Sequence, residues 1–349
     1  MTRRTLAIVI SAPLMVVLWL TAAIAPAPYV QFSPGMTVDV LSEVQGQERI
    51  QVSGHETYYD GGELRMTTVG VTRPEDSISL LTAISAWLSD ERAVVPYDTY
   101  YQDGITDEEN DAETAVQMVS SQDAAIAAAL IEMGYELETT TVVLFVTEGM
   151  PADGKIGVRD HIVSVNGKPV AEDGSVIVDE VQGSDGKPVV FEVLREGKEV
   201  TVEVTPKDVD GTPMIGIQTG PSFKFPFQVS INIDPRIGGP SAGLMFALGI
   251  YDTLTKGSLT GGKQLAGTGT ISPDGKVGPI GGIQQKIPAA RDAGAELFLV
   301  PPDNCKEALG GANGDMVLVR ADTLSSAVDA IEAWVADPSA ELPSCEGVG

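Results

Sequence analysis

Histidine occurs only twice in the 349 residues, at His55 and His161. A serine nucleophile that used imidazole as its base would need one of them close by. One falls in an N-terminal mixed block and the other in a strand-like run, so the sequence argues against a Ser-His-Asp triad. Basic residues are also scarce, 22 Lys and Arg against 49 Asp and Glu, for a net charge of −27 and a pI near 4.2. Such a field repels phosphate backbones and excludes nucleic acid as an expected partner. The acidic residues are spread along the chain, which fits the solubility of an exported domain. Cysteine too appears only twice, at Cys305 and Cys345. A bridge formed in an oxidising compartment and two unpaired buried thiols both fit that count. Glycine and proline, 38 and 22 residues, stay below the level of low-complexity sequence.

Neither a metal nor a cofactor is expected. The acidic cluster Asp107, Glu108, Glu109 and Asp111 lacks the glycine-centred ligand pattern of a calcium loop, and it reads as part of an exposed loop over 97–110. The stretch Gly257-Ser258-Leu259-Thr260-Gly261-Gly262-Lys263-Gln264 comes near a phosphate-binding loop. It ends in glutamine where a Mg²⁺-binding hydroxyl is required.

What the chain does have is a run of 20 uncharged residues from Leu6 to Ala25, preceded by Arg3 and Arg4. That is the length of one membrane span, and the positive flank places the remainder of the chain outside the cytoplasm. Ala23-Ile24-Ala25 also fits a signal-peptide cleavage site, against which stand Pro26 and the length of the run. After this anchor, 1–28, alternating stretches at 36–40 and 64–69 predict strands. Apolar spacing predicts helices over 77–88 and 112–133, the second ending at Gly134. Residues 29–139 thus read as a mixed α/β region. From Thr140 short strands alternate with glycine turns, giving a β-rich domain over 140–206.

The segment richest in chemistry is Gly238-Gly239-Pro240-Ser241-Ala242-Gly243, which runs into the apolar stretch 244–250. Glycines leading into a helix, with proline in its first turn, would set Ser241 at a helix N-terminus. There the backbone N–H groups of Gly239 and Ala242 would serve a developing oxyanion. With histidine remote, the base could be a lysine desolvated enough to be neutral. Lys286 fits, because no other formal charge occurs from Val277 to Ala290 and a helix is expected after Gly281-Gly282.

Two resemblances follow from ordered motifs. The run 149–156 followed by Asp160-His161-Ile162-Val163-Ser164-Val165-Asn166-Gly167 resembles the PDZ domains of bacterial envelope proteases, with Arg159 standing where those domains have glycine. Gly-Pro-Ser-Ala-Gly, Ala266-Gly267-Thr268-Gly269-Thr270-Ile271, Asp274-Gly275-Lys276-Val277, Pro279-Ile280-Gly281-Gly282-Ile283, Lys286 and Val300-Pro301-x-x-Asn304 together resemble the proteolytic domain of Lon proteases. That resemblance implies Ser241 as nucleophile, Lys286 as general base and later acid, and Thr268 as the hydroxyl that orients the lysine. An ordinary strand threonine is the alternative for Thr268. Lon domains usually carry an acidic residue where this chain has Gly238, and another where it has Thr270.

The fold class expected is therefore α+β and multidomain: an anchor helix, a mixed α/β block, a PDZ-like domain and a Lon-type proteolytic domain over 207–340. The order resembles the membrane-anchored PDZ-plus-Lon serine proteases of bacteria, which lack the ATPase module. It implies an ATP-independent endopeptidase acting on unfolded or flexible polypeptides outside the cytoplasm, with a peptide ligand for the PDZ-like domain and homo-oligomeric rings. The alternative is a silent Lon-fold scaffold whose PDZ domain binds a partner.

Overall fold

The computed structural model describes residues 2–170, 174–195 and 197–347. The chain opens with helix α1 (Arg3–Ile24), which Thr2 caps. Its apolar stretch has a mean hydropathy of 2.4, and none of that stretch is buried inside the protein. At about 33 Å, 22 residues of helix are long and apolar enough to cross a membrane.

Strands β1 (Tyr29–Asp39) and β2 (Glu63–Val71) pair antiparallel. Helix α2 (Leu80–Trp87), capped by Ser79, then leads to strand β3 (Ala93–Pro96) on the far edge of β1. Helix α3 (Asp107–Glu132) begins within the stretch expected to be a loop. Thr106 accepts from the Glu109 N–H while the Glu109 carboxylate reaches back to the Thr106 N–H, a capping box. Asp107, Glu108 and Glu109 are therefore the first turn of this helix, where carboxylates complement the positive end of the helix dipole, and Asp111 follows in the second turn. Arg73 binds Asp107 and Asp111 at 2.7 and 2.8 Å and ties both turns to the end of β2.

Six strands form an antiparallel sheet, five of them in the order β7-β6-β5-β4-β8 and the sixth, the short strand Lys168–Pro169, paired to β5 off that path. The five are β4 (Glu138–Val146), β5 (His161–Val165), β6 (Val189–Arg195), β7 (Lys198–Val204) and β8 (Ile217–Lys224), with helix α4 (Ser175–Gln182) inserted before β6. Strand β8 pairs with β4 along its whole length, so this sheet runs past residue 206, the boundary expected from the sequence. Val143, Ile162, Val165, Ile177, Phe191 and Val204 form its separate core. Arg159 has φ 70°, a conformation that suits the glycine usual at this position. Its side chain crosses to α3, donating to Gln122 and pairing with the Asp123 carboxylate at 3.4 Å.

The rest of the chain supplies helix α5 (Gly243–Leu254), strand β9 (Gln264–Gly267), helix α6 (Ile283–Asp292), strands β10 (Leu297–Val300) and β11 (Val317–Arg320), and helix α7 (Leu324–Ala336). The three strands are parallel, and β9 lies parallel to β2, Leu265 opposite Leu64. The sheet order is β11-β10-β9-β2-β1-β3. Residues 29–96 thus complete a sheet begun some 200 residues later, and the blocks expected at 29–139 and 207–340 share it. They also share a core: α3, α5 and α7 pack on one face through Ile126, Leu130, Leu244, Phe246, Leu248 and Ile331. Helix α6 covers the other face with Ile283 and Ile287.

Cys305 and Cys345, both buried, are joined by a disulfide that pins the C-terminal tail beneath α6. Closing a 40-residue separation restricts the unfolded chain. Cys345→Ser is expected to cost about 2–4 kcal/mol, the usual range for such a bridge. Urea unfolding with and without reductant measures this. A midpoint indifferent to both the substitution and the reductant would show that the bridge adds nothing.

Candidate active site

Three elements converge on the loop 237–242. Helix α5 begins at Gly243, with Ala242 as its N-cap. Pro240 therefore lies outside the helix, and Ser241 occupies the turn just before it. The reason is visible in the backbone bonds. The Ser241 carbonyl accepts from the Gly269 N–H at 2.9 Å and from the Thr268 hydroxyl at 3.0 Å, so it is not available to the first helical turn.

The loop is held from the other side by α3. The Gly239 N–H donates to the Thr114 carbonyl at 2.9 Å, and the Ser121 hydroxyl donates to the Pro240 carbonyl at 3.0 Å. Gly239 has φ 85°, which favours glycine. Gly238 packs so closely that a Cβ there would stand 2.6 Å from the Thr114 side chain. That contact explains why the acidic side chain usual in Lon domains has no room here. It also corrects one expectation: the Gly239 N–H is spent on Thr114 and is not a free oxyanion donor. Among the described residues, no group accepts from the Ala242 N–H.

Lys286 enters from α6, which starts after Gly282 (φ 71°) as the residue pattern predicts. Its Nζ lies 2.7 Å from Ser241 Oγ and 2.9 Å from Thr268 Oγ1. The side chain is 2% exposed, and burial pushes the ammonium pKa down to about 7. Thr268 is itself fully buried and gives its one proton to the Ser241 carbonyl. Its oxygen is thereby left as an acceptor for a Lys286 N–H. A neutral Lys286 so held has its lone pair free to face Ser241 Oγ.

Ser241 and Lys286 open onto a cleft of about 610 Å³. Its walls come from both ends of the chain, with Phe32, Met36, Tyr100 and Tyr101 facing Arg236 and Ile237. Neither histidine lines it: the His55 ring packs on Phe227, and His161 is paired within the β4–β5–β6 sheet. Sequence reasoning placed Ser241, Thr268 and Lys286, which the fold brings together. It missed Thr114, Ser121 and the two tyrosines. The Thr106-x-x-Glu109 box was the one available signal that a helix begins there.

Two segments of the chain match known domain families. Residues 104–205 match the PDZ domain family, and residues 234–311, which include Ser241, Thr268 and Lys286, match the Lon protease (S16) C-terminal proteolytic domain. Lon protease 2 of Bacillus subtilis is 35% identical over 107 residues, covering 31% of this chain and 18% of that protein. The Lon protease of Trichlorobacter lovleyi is 45% identical over 69 residues, covering 20% of this chain and 8% of that one. This chain thus spans less than a fifth of the length of these relatives. Among solved structures, the PDZ domain of an SdrC-like protein from Listeria innocua aligns at 26% identity with a TM-score of 0.21, covering 23% of this chain and 92% of that one. The chain therefore joins a PDZ domain to a Lon-type C-terminal proteolytic domain, with one apolar helix ahead of both.

Proposed function

We propose that the protein is a serine endopeptidase in which Ser241 is the nucleophile and Lys286 the base. The observation that carries this reading is the 2.7 Å approach of Lys286 Nζ to Ser241 Oγ, made by a lysine whose burial lowers its pKa to about 7. A neutral amine at that distance takes the Oγ proton as the serine attacks a peptide carbonyl. It then returns the proton to the leaving nitrogen. The Ala242 N–H is assigned to the oxyanion.

The reaction needs no nucleotide, and the substrates are polypeptides already unfolded or flexible enough to enter an open cleft. The PDZ domain suits capture of an extended segment by strand addition. With α1 crossing the membrane and Arg4 at its cytoplasmic end, the cleft faces the opposite compartment. Incubating the full-length chain with unfolded casein in the absence of ATP tests the proposal. Fragmentation supports it, whereas intact casein together with retained peptide binding would make the molecule a scaffold.

Thr268→Val keeps the shape and removes the hydroxyl that orients the lysine. The expected result is a fall in kcat of about 10–100-fold with KM nearly unchanged, since an orienting hydroxyl acts on the reacting geometry more than on substrate binding. Full activity in the valine variant would return Thr268 to the role of an ordinary strand residue.

A further inference from the structure

Helix α2 is built inside out. It buries only two small residues, Ala83 and Ala86, while Leu80, Ile84, Trp87 and Leu88 are 42, 43, 75 and 72% exposed. At 100° per residue these four fall on one face about 100° wide, so they form a continuous apolar stripe and not scattered surface residues. A helix covered by water on that side would gain by the reverse arrangement, with its large side chains inward.

The position of α2 explains the inversion. The short strand Ile78–Ser79 that leads into it pairs with Pro26–Ala27, the first residues after α1. The Leu80 N–H donates to the carbonyl of Ala25, the residue that caps α1, at 3.3 Å. The two helices also pack against each other. The start of α2 is therefore fixed where the apolar span ends, and an eight-residue helix extends only about 12 Å from that point. The headgroup zone lies at the same level.

We infer that α2 lies in the membrane–water boundary, with Leu80, Ile84, Trp87 and Leu88 seated among the upper acyl chains of the leaflet from which α1 emerges. The inference rests on α1 spanning the membrane. The occupant of the stripe is lipid because α1 already fixes the stripe beside it. The attraction is apolar, since a chain of net charge −27 gains nothing from anionic headgroups, and a zwitterionic bilayer serves as well. One consequence concerns the cleft. Helix α2 packs against β3, which packs in turn against the helical turn Tyr97–Tyr100 beside the cleft, so a seated α2 holds that end of the cleft close to the bilayer surface.

The test uses the full-length chain in phosphatidylcholine vesicles with bromine placed at different depths along the acyl chains. Three tryptophans are present, and Trp334 is buried and serves as common background in every sample. In Trp19→Phe the lipid-accessible signal is Trp87, and in Trp87→Phe it is Trp19; both substitutions fall on exposed side chains. The expected result is loss of Trp87 emission to bromine about 5–10 Å below the headgroups, with less loss to bromine at the chain ends. Trp87 unquenched at every depth while Trp19 is quenched overturns the seating of α2. A Trp87 emission that shifts with protein-to-lipid ratio and resists bromine also overturns it, because a second copy then covers the stripe. Trp19 unquenched removes the span itself, a distinguishable failure.

Discussion

Lys286→Met and Ser241→Ala are each expected to lower kcat on unfolded casein by at least about 10⁴-fold, and the double variant is expected to be no worse than either alone. Methionine fills nearly the volume of the lysine stem without an amine, so the pocket under α6 stays packed while the base disappears. Ser241→Ala removes one oxygen from a half-buried turn that is held by Gly269, Thr268 and Ser121 through backbone carbonyls, none of which the substitution touches. The losses should therefore be chemical, with KM little changed. Non-additivity is the sharper reading, because two groups that pass one proton between them fail as a unit. Steady-state kinetics on the three variants measure it. A double variant whose loss equals the product of the single losses would mean that Ser241 and Lys286 act independently, and the dyad would fall.

How much of this was legible in the sequence depends on the range over which each feature is determined. Lys286 stood out because a lysine in a charge-free stretch on a short helix has little reason to be there except burial, and the fold buries it. Ser241 was marked by the local grammar of glycine, proline and an apolar helix. Its exact turn was not, because the bonds that draw its carbonyl out of the helix come from Thr268 and Gly269, in a different segment. The shared sheet was illegible for a similar reason. Residues 63–66 alternate like any edge hairpin, and nothing local says that their second partner is 264–267. The dependence of the serine loop on α3 was hidden although Thr114 and Ser121 fall within the helix expected over 112–133, because Thr114 acts through its backbone carbonyl and nothing local pairs either residue with 239–240. One helix thus supports the serine turn near its start and meets the PDZ sheet near its middle, where the Ser222 hydroxyl donates to Asp123 at 2.7 Å.

Below neutrality, kcat/KM should fall about tenfold per pH unit, to about 100-fold below its plateau at pH 5, and it should be level from pH 8 to 10. The cause is the protonation of Lys286, whose pKa burial lowers from 10.5 to about 7. The active form is the neutral amine, so activity appears as pH rises through that value. The same shift acts on stability, with a sign of its own. Between about pH 7 and 10.5 the unfolded chain holds one proton more than the folded one at this lysine, so its contribution to stability rises with pH across that window. Burying the amine costs most below pH 7, where the folded state must either carry a buried ammonium or give up a proton that the unfolded chain keeps. Lys286→Met removes that cost and should be the more stable protein at pH 6–7, by up to several kcal/mol, with the advantage shrinking towards pH 10. Urea midpoints of the parent and variant at pH 6 and pH 9, set beside the pH–rate profile, test both halves. An inactive variant whose advantage is greatest at low pH would tie catalysis and instability to the same desolvated amine. A pH–rate profile still climbing above pH 9 would place the working base elsewhere.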